Sequence, residues 1–216
     1  MENRRITFEA NGATCEGVLA CPDEMIHAPG VVVCHPHPLH GGDMQNAVVR
    51  CLAEAFVKTG FAVLRFNFRG VGQSTGQYDE GIGEQEDAKA ALGWLGAQPG
   101  VNPDQLFLAG YSFGARVTLA VASNDPRVCG FVVVAPPVRR GGWPHLESTR
   151  GPKIFLCGDQ DPHVPIEVLS ALIDALPMPK RLLVFPDTDH FFVGQERALG
   201  QCAASVLQEC LLPTSR

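Results

Sequence analysis

Ser112 lies in the run Gly110-Tyr111-Ser112-Phe113-Gly114, between an apolar segment, Leu106 to Ala109, and a helix-like segment, Ala115 to Ala120. A Gly-x-Ser-x-Gly between a strand and a helix makes a turn so sharp that the serine backbone is strained and bulky neighbours are excluded. The turn lifts the hydroxyl above the sheet, at the positive end of the following helix. The chemistry this suits is nucleophilic attack on an acyl carbon. A serine hydroxyl needs a base, an orienting acid and an oxyanion hole to do that, so the rest of the chain must supply them.

Among the seven histidines, His190 has the right place: it follows the last apolar run, Leu182 to Phe185, on the loop before the final helix. The run Gly158-Asp159-Gln160-Asp161-Pro162-His163 follows the preceding strand and offers two carboxylates. One would fix the histidine tautomer and the other would bond turn amides; spacing leaves Asp159 and Asp161 both open. His163, adjacent to the acid in the same loop, reads as turn or rim. For the oxyanion hole, one N–H falls to Phe113, the residue after the nucleophile. The other belongs after the Val31–Cys34 strand, where Pro36 and Pro38 lack an N–H, leaving His37 or Leu39.

These groups need a frame. The first residues alternate like an antiparallel hairpin, Ile6 to Glu9 and Cys15 to Ala20, with a turn at Asn11-Gly12. After Gly30 come continuously apolar runs suited to parallel strands buried on both faces: 31–34, 61–66, 106–109, 131–135, 154–157 and 182–185. Between most of them lie amphipathic helical stretches, 44–58, 84–95, 166–176 and 197–212. The alternation predicts a doubly wound, mostly parallel sheet in one domain over 1–216. The crossover from Ala135 to Lys153, through Pro136-Pro137 and Gly141-Gly142-Trp143-Pro144, is too broken for a full helix and too short for a lid. It predicts a shallow, accessible rim.

Bulk properties set the boundaries. A 216-residue chain that is 45% hydrophobic can bury a self-sufficient core. The net charge of -6 and the absence of a basic cluster speak against nucleic acid as the main partner. The N-terminus has no apolar signal segment and no stretch reaches a membrane span, so the expected compartment is the cytoplasm and no membrane partner is expected. The eight cysteines are scattered without a Cys-x-x-Cys, so reduced, mostly buried thiols are expected.

The chain order Ser112, acid, His190 resembles the α/β hydrolases, and the likeness extends over nearly the whole sequence. Asp161-Pro162-His163-Val164-Pro165 resembles the acid loop of dienelactone-hydrolase-like members, which implies Asp161 as the acid. The segments His35 to Met44 and Arg65 to Gly76 resemble a small lidless bacterial branch of serine hydrolases. The likeness to a His-Gly-x motif, with Pro36 at the glycine, implies His37 as the second oxyanion donor. Dienelactone hydrolases carry cysteine at the elbow, so Ser112 takes this chain away from a lactone substrate. The resemblance implies an α/β-hydrolase fold with no cap domain. The implied activity is cleavage of small-acyl esters or thioesters, on a small-molecule substrate and with no cofactor. An uncovered rim is also compatible with a homodimer.

Two rivals stand beside this reading. His35-x-His37-x-x-His40 has the spacing of a zinc-hydrolase cluster, but Leu39 stands where such clusters carry an aspartate. A hydrolase frame can also serve as a catalytically silent binding protein. Gly70-x-Gly72-x-x-x-Gly76 approximates a dinucleotide fingerprint with its third glycine one residue late; it reads instead as a rim loop beside the pocket. Glu84, Glu86 and Asp87 read as the acidic first turn of a helix.

Overall fold

A computed structural model describes residues 2–138, 146–149 and 151–211. Asn11 and Gly12 both take positive φ, 35° and 84°, as the predicted two-residue turn demands. They join β1 (Glu2–Ala10) to β2 (Ala13–Cys21), with Ala10 opposite Ala13. The chain then builds β3 (Ala28–Cys34), β4 (Ala62–Phe66), β5 (Val101–Tyr111), β6 (Val128–Val134), β7 (Lys153–Gly158) and β8 (Lys180–Phe185). Among the described residues these form one eight-stranded sheet in the order β1-β2-β4-β3-β5-β6-β7-β8. The hairpin pairs antiparallel onto β4, and all pairings from β4 through β8 are parallel. That is the predicted α/β sheet.

Among the described residues five α-helices cover it: α1 (Ala47–Lys58), α2 (Gly83–Gly96), α3 (Phe113–Ala122), α4 (Ile166–Asp174) and α5 (Glu196–Leu211). Helices α1 and α5 pack together on one face, and α2 and α3 on the other. The valine and phenylalanine runs of β3 to β7 are buried between these layers, as in Val31–Val33 and Phe131–Val134. The connection between β6 and β7, 135–152, is too short for a cap domain; of its predicted irregular stretch, 136–144, residues 139–144 lie outside the described residues.

Several expectations need correction. β8 is only half-buried, because it forms the free edge of the sheet and has one neighbour, β7. Helix α1 starts at Ala47 and not Met44: the Met44 N–H donates to Asn67 Oδ1, and Asn46 caps the helix by accepting from the Val48 N–H. None of the eight cysteines is in a disulfide, but only Cys15, Cys34 and Cys157 are buried; Cys51, Cys202 and Cys210 sit half-exposed on α1 and α5.

The acidic cluster at the start of α2 does more than favour a helix dipole. Glu84 and Asp87 are fully buried. Glu84 accepts from the Asp79 and Gly81 N–H groups, closing the loop ahead of the helix. Asp87 accepts from the backbone N–H of Arg69 and from its guanidinium, at 2.9 and 2.7 Å. A buried carboxylate survives without water only when so paired. The Gly70–Gly76 loop is likewise no part of the pocket wall. It is sewn to β2, with the Thr75 N–H donating to Thr14 O and the Glu16 N–H to Ser74 Oγ.

Candidate active site

The carboxyl ends of β3, β5, β7 and β8 open on one rim, where open α/β sheets place their ligands. Ser112 occupies the sharp turn from β5 into α3 with φ 54° and ψ −112°, a backbone that L-residues adopt only under constraint. Its flanking glycines are required by close approach. A Cβ on Gly110 would overlap the Gly114 carbonyl oxygen, and one on Gly114 would overlap the Cys34 and His35 carbonyl oxygens. The turn therefore packs directly against the end of β3.

His190 stands on the loop after β8 with its Nε2 3.0 Å from Ser112 Oγ. Its Nδ1 is 2.6 Å from Asp161 Oδ2, on the loop after β7. The partners assign the tautomer: Nδ1–H donates to the carboxylate, and Nε2 is left to accept from the serine hydroxyl. Asp161 is buried, and its other oxygen accepts from the His163 N–H at 2.8 Å. Asp159 is exposed, and among the described residues it accepts only from the Thr188 N–H, at 3.3 Å. The two carboxylates left open by spacing thus have different places, and Asp161 is the one joined to His190.

Sequence reasoning missed Tyr111. Its buried hydroxyl donates to the His190 carbonyl at 2.8 Å, so the residue before the nucleophile also ties down the backbone of the histidine. Burial, with Asp161 and Asp189 nearby, raises its phenol above the usual range. The variable position of the Gly-x-Ser-x-Gly run is the only signal that could have pointed to it. Arg116 was also missed, although it lies one helical turn beyond Ser112 and donates its backbone N–H to the Ser112 carbonyl.

The loop after β3 separates its three histidines. His35 is fully buried: Nδ1 lies 2.7 Å from Pro36 O, and Nε2 accepts from the Phe68 N–H at 3.1 Å. His37 Nδ1 accepts from the Leu39 N–H at 3.2 Å, and its Nε2 approaches the Tyr78 hydroxyl. With both His35 nitrogens engaged by backbone, the trio does not converge as ligands. Among the described residues no group of three or more His, Cys, Asp or Glu is arranged to hold a metal ion. The same geometry uses up the Leu39 N–H, one of the two candidates for the second oxyanion donor.

Burial lowers the His35 imidazole from its ordinary 6.5 to about 4. A proton on Nε2 would also point at the Phe68 N–H. The unfolded chain therefore binds a proton at a higher pH than the folded one. Stability from this group is complete above pH 6.5 and is lost as the pH falls from 6.5 toward 4, by about 3 kcal/mol. Denaturant titrations between pH 7 and 4.5 should show His35→Gln losing clearly less stability than wild type over that interval. Equal losses would remove His35 as the cause.

The cleft around Ser112 has a volume of about 440 Å³. Pro36, His37, Phe113, Pro137 and Phe191 supply much of its wall. Phe191 remains 64% exposed at the mouth, so the rim is open on that side, as expected of a lidless molecule.

Comparison with known proteins fixes the family. Residues 18–141 match the S15 family, described as X-Pro dipeptidyl-peptidase, which has the α/β-hydrolase fold. The chain belongs to that family. An uncharacterized protein of Rickettsia prowazekii is 36% identical over 174 residues, covering 77% of this chain and 73% of its own length. A solved structure of an α/β serine hydrolase homologue from Coxiella burnetii is 37% identical, with a TM-score of 0.85 over 96% of this chain and 98% of that one. A lidless α/β serine hydrolase from Xanthomonas campestris is 31% identical, with a TM-score of 0.83 over 100% of this chain and 97% of that one. This α/β hydrolase is thus one of the small lidless kind. Among its described residues no helix is long and apolar enough to cross a membrane.

Proposed function

We propose that this α/β hydrolase cleaves carboxylic esters or thioesters of small acyl groups through an acyl-enzyme. The observation that carries the reading is the continuous chain Ser112 Oγ, His190 Nε2, His190 Nδ1 and Asp161 Oδ2, with links of 3.0 and 2.6 Å. Ser112 attacks the acyl carbon while His190 takes the hydroxyl proton, and Asp161 supports the imidazolium. The carbonyl oxygen becomes an alkoxide held by the N–H groups of Phe113 and His37. Two features support those donors. Phe113 opens α3, where an N–H has no carbonyl four residues back. His37 lies between two prolines, and its neighbour Leu39 spends its N–H on the His37 imidazole. Collapse of the intermediate expels the alcohol or thiol with the His190 proton. Water, deprotonated by His190, then attacks the acyl-enzyme and releases the acid and Ser112.

The family's description names a dipeptidyl-peptidase, and the cleft speaks against that substrate here. A peptidase that counts from a free amino terminus needs an acidic group to receive the ammonium. Among the described residues lining the cleft none is Asp or Glu.

A fluorophosphonate probe separates an active site from a silent binding frame, because only an activated serine reacts. Mass spectrometry should find the label on Ser112, and p-nitrophenyl acetate should be turned over faster than an Xaa-Pro p-nitroanilide. An unlabelled protein would refute the hydrolase reading, and the opposite substrate order would move it to peptides.

A further inference from the structure

Arg116 is the one residue with a permanent charge among the described residues lining the cleft. Apart from imidazoles, the other described residues of that wall are neutral, and none of them is a carboxylate. The guanidinium is held in place without being neutralised. One nitrogen donates to the Glu80 carbonyl at 2.5 Å, and Cζ lies over the Phe113 ring, 5.1 Å from its centroid. Half-buried Arg65 donates to the Met44 carbonyl, while Arg69 and Arg127 have acidic partners, Asp87 and Asp125. Among the described residues Arg116 has none. A guanidinium carries five N–H donors in a rigid fork suited to carboxylate or phosphate oxygens, and this one spends few of them.

Its place is set by the fold. Arg116 is the fourth residue after Ser112 on α3, so it stands one helical turn from the nucleophile, on the same helix terminus. The positive helix end and the guanidinium together favour anions in the cleft and raise their local concentration.

We propose that Arg116 is a specificity residue that receives an anionic group, carboxylate or phosphate, carried by the ester or thioester close to its scissile bond. This rests on the hydrolase reading above and narrows its substrate class to anionic acyl compounds. The anion can belong to the acyl part or to the leaving group, and paired substrates tell which. Mono-p-nitrophenyl succinate and its methyl ester differ only in an acyl-side carboxylate. Acetyl-coenzyme A and S-acetyl-N-acetylcysteamine differ in leaving-group phosphates.

In at least one pair the anionic member should have a kcat/KM about 10- to 100-fold higher, the range of a charge-assisted hydrogen bond. Arg116→Gln should bring that ratio close to one. Arg116→Lys, which keeps the charge and loses the fork, should restore part of it, and added salt should shrink the wild-type ratio. Ratios near one in both pairs for wild type, or a ratio unmoved by Arg116→Gln, would overturn the proposal.

A second measurement separates this claim from the reaction. In Ser112→Ala, calorimetric titration should show mono-p-nitrophenyl succinate or acetyl-coenzyme A binding about tenfold tighter than its neutral counterpart, an advantage absent when Arg116→Gln is added. Equal affinities in both pairs would refute the anion site even if the esters are hydrolysed. A retained advantage in a wild type that turns over no ester would instead sink the hydrolase reading and keep the site.

Discussion

Ser112→Ala is expected to lower kcat for p-nitrophenyl acetate by about 10⁶-fold, the loss seen when a triad serine is removed. The size follows from what the hydroxyl does. Without Oγ there is no atom to form the ester link to the acyl group, and His190 has no proton to accept. What survives is the rate supplied by oxyanion donors and binding alone. The turn itself should persist, because alanine, like serine, carries a Cβ at φ 54°, and the close packing rests on Gly110 and Gly114. Thermal unfolding of the variant should therefore stay near that of wild type while turnover and fluorophosphonate labelling vanish. Activity within tenfold of wild type would overturn the acyl-enzyme mechanism.

Asp161→Asn is expected to reduce kcat by about 10⁴-fold. One Asp161 oxygen accepts from the His163 N–H and the other faces His190 Nδ1. An asparagine in that position keeps its carbonyl toward His163 and turns its NH₂ toward the imidazole. Nδ1 must then accept, which moves the imidazole proton to Nε2, where it opposes the Ser112 hydroxyl. The base is present in the wrong tautomer. Asp159→Asn should change kcat by less than tenfold, because exposed Asp159 accepts, among the described residues, only from the Thr188 N–H. If Asp159→Asn proved the more damaging of the two, the acid role would pass to that residue.

The parts of this site that were legible in the chain were those with a local cause. Gly-x-Ser-x-Gly between an apolar run and a helical run forces its own turn, since glycine is needed wherever backbone approaches backbone. The Asn-Gly turn of β1 and β2 is equally local, because few other residue pairs accept two positive φ values. His190 could be found because loops at the carboxyl ends of parallel strands share one rim.

What escaped had partners far along the chain. The choice between Asp159 and Asp161 depends on which carboxylate meets a histidine 29 residues onward, and spacing supplies no direction in space. The anchoring of His190 by the Tyr111 hydroxyl spans 79 positions. Asp87 reads as helix-start decoration until Arg69 is brought against it, and the Gly70–Gly76 loop reads as rim until Thr14 and Glu16 hold it to the hairpin.

The amino-acid order alone therefore determined the doubly wound sheet, the position of the nucleophile and the pool from which its helpers come, because these follow from short-range periodicity and turn sterics. Tertiary structure alone decided which carboxylate faces His190, and that Arg116 lines the cleft with no acidic partner among the described residues. Those outcomes depend on the directions in which loops from separate strands converge, and direction is a property of the packed sheet.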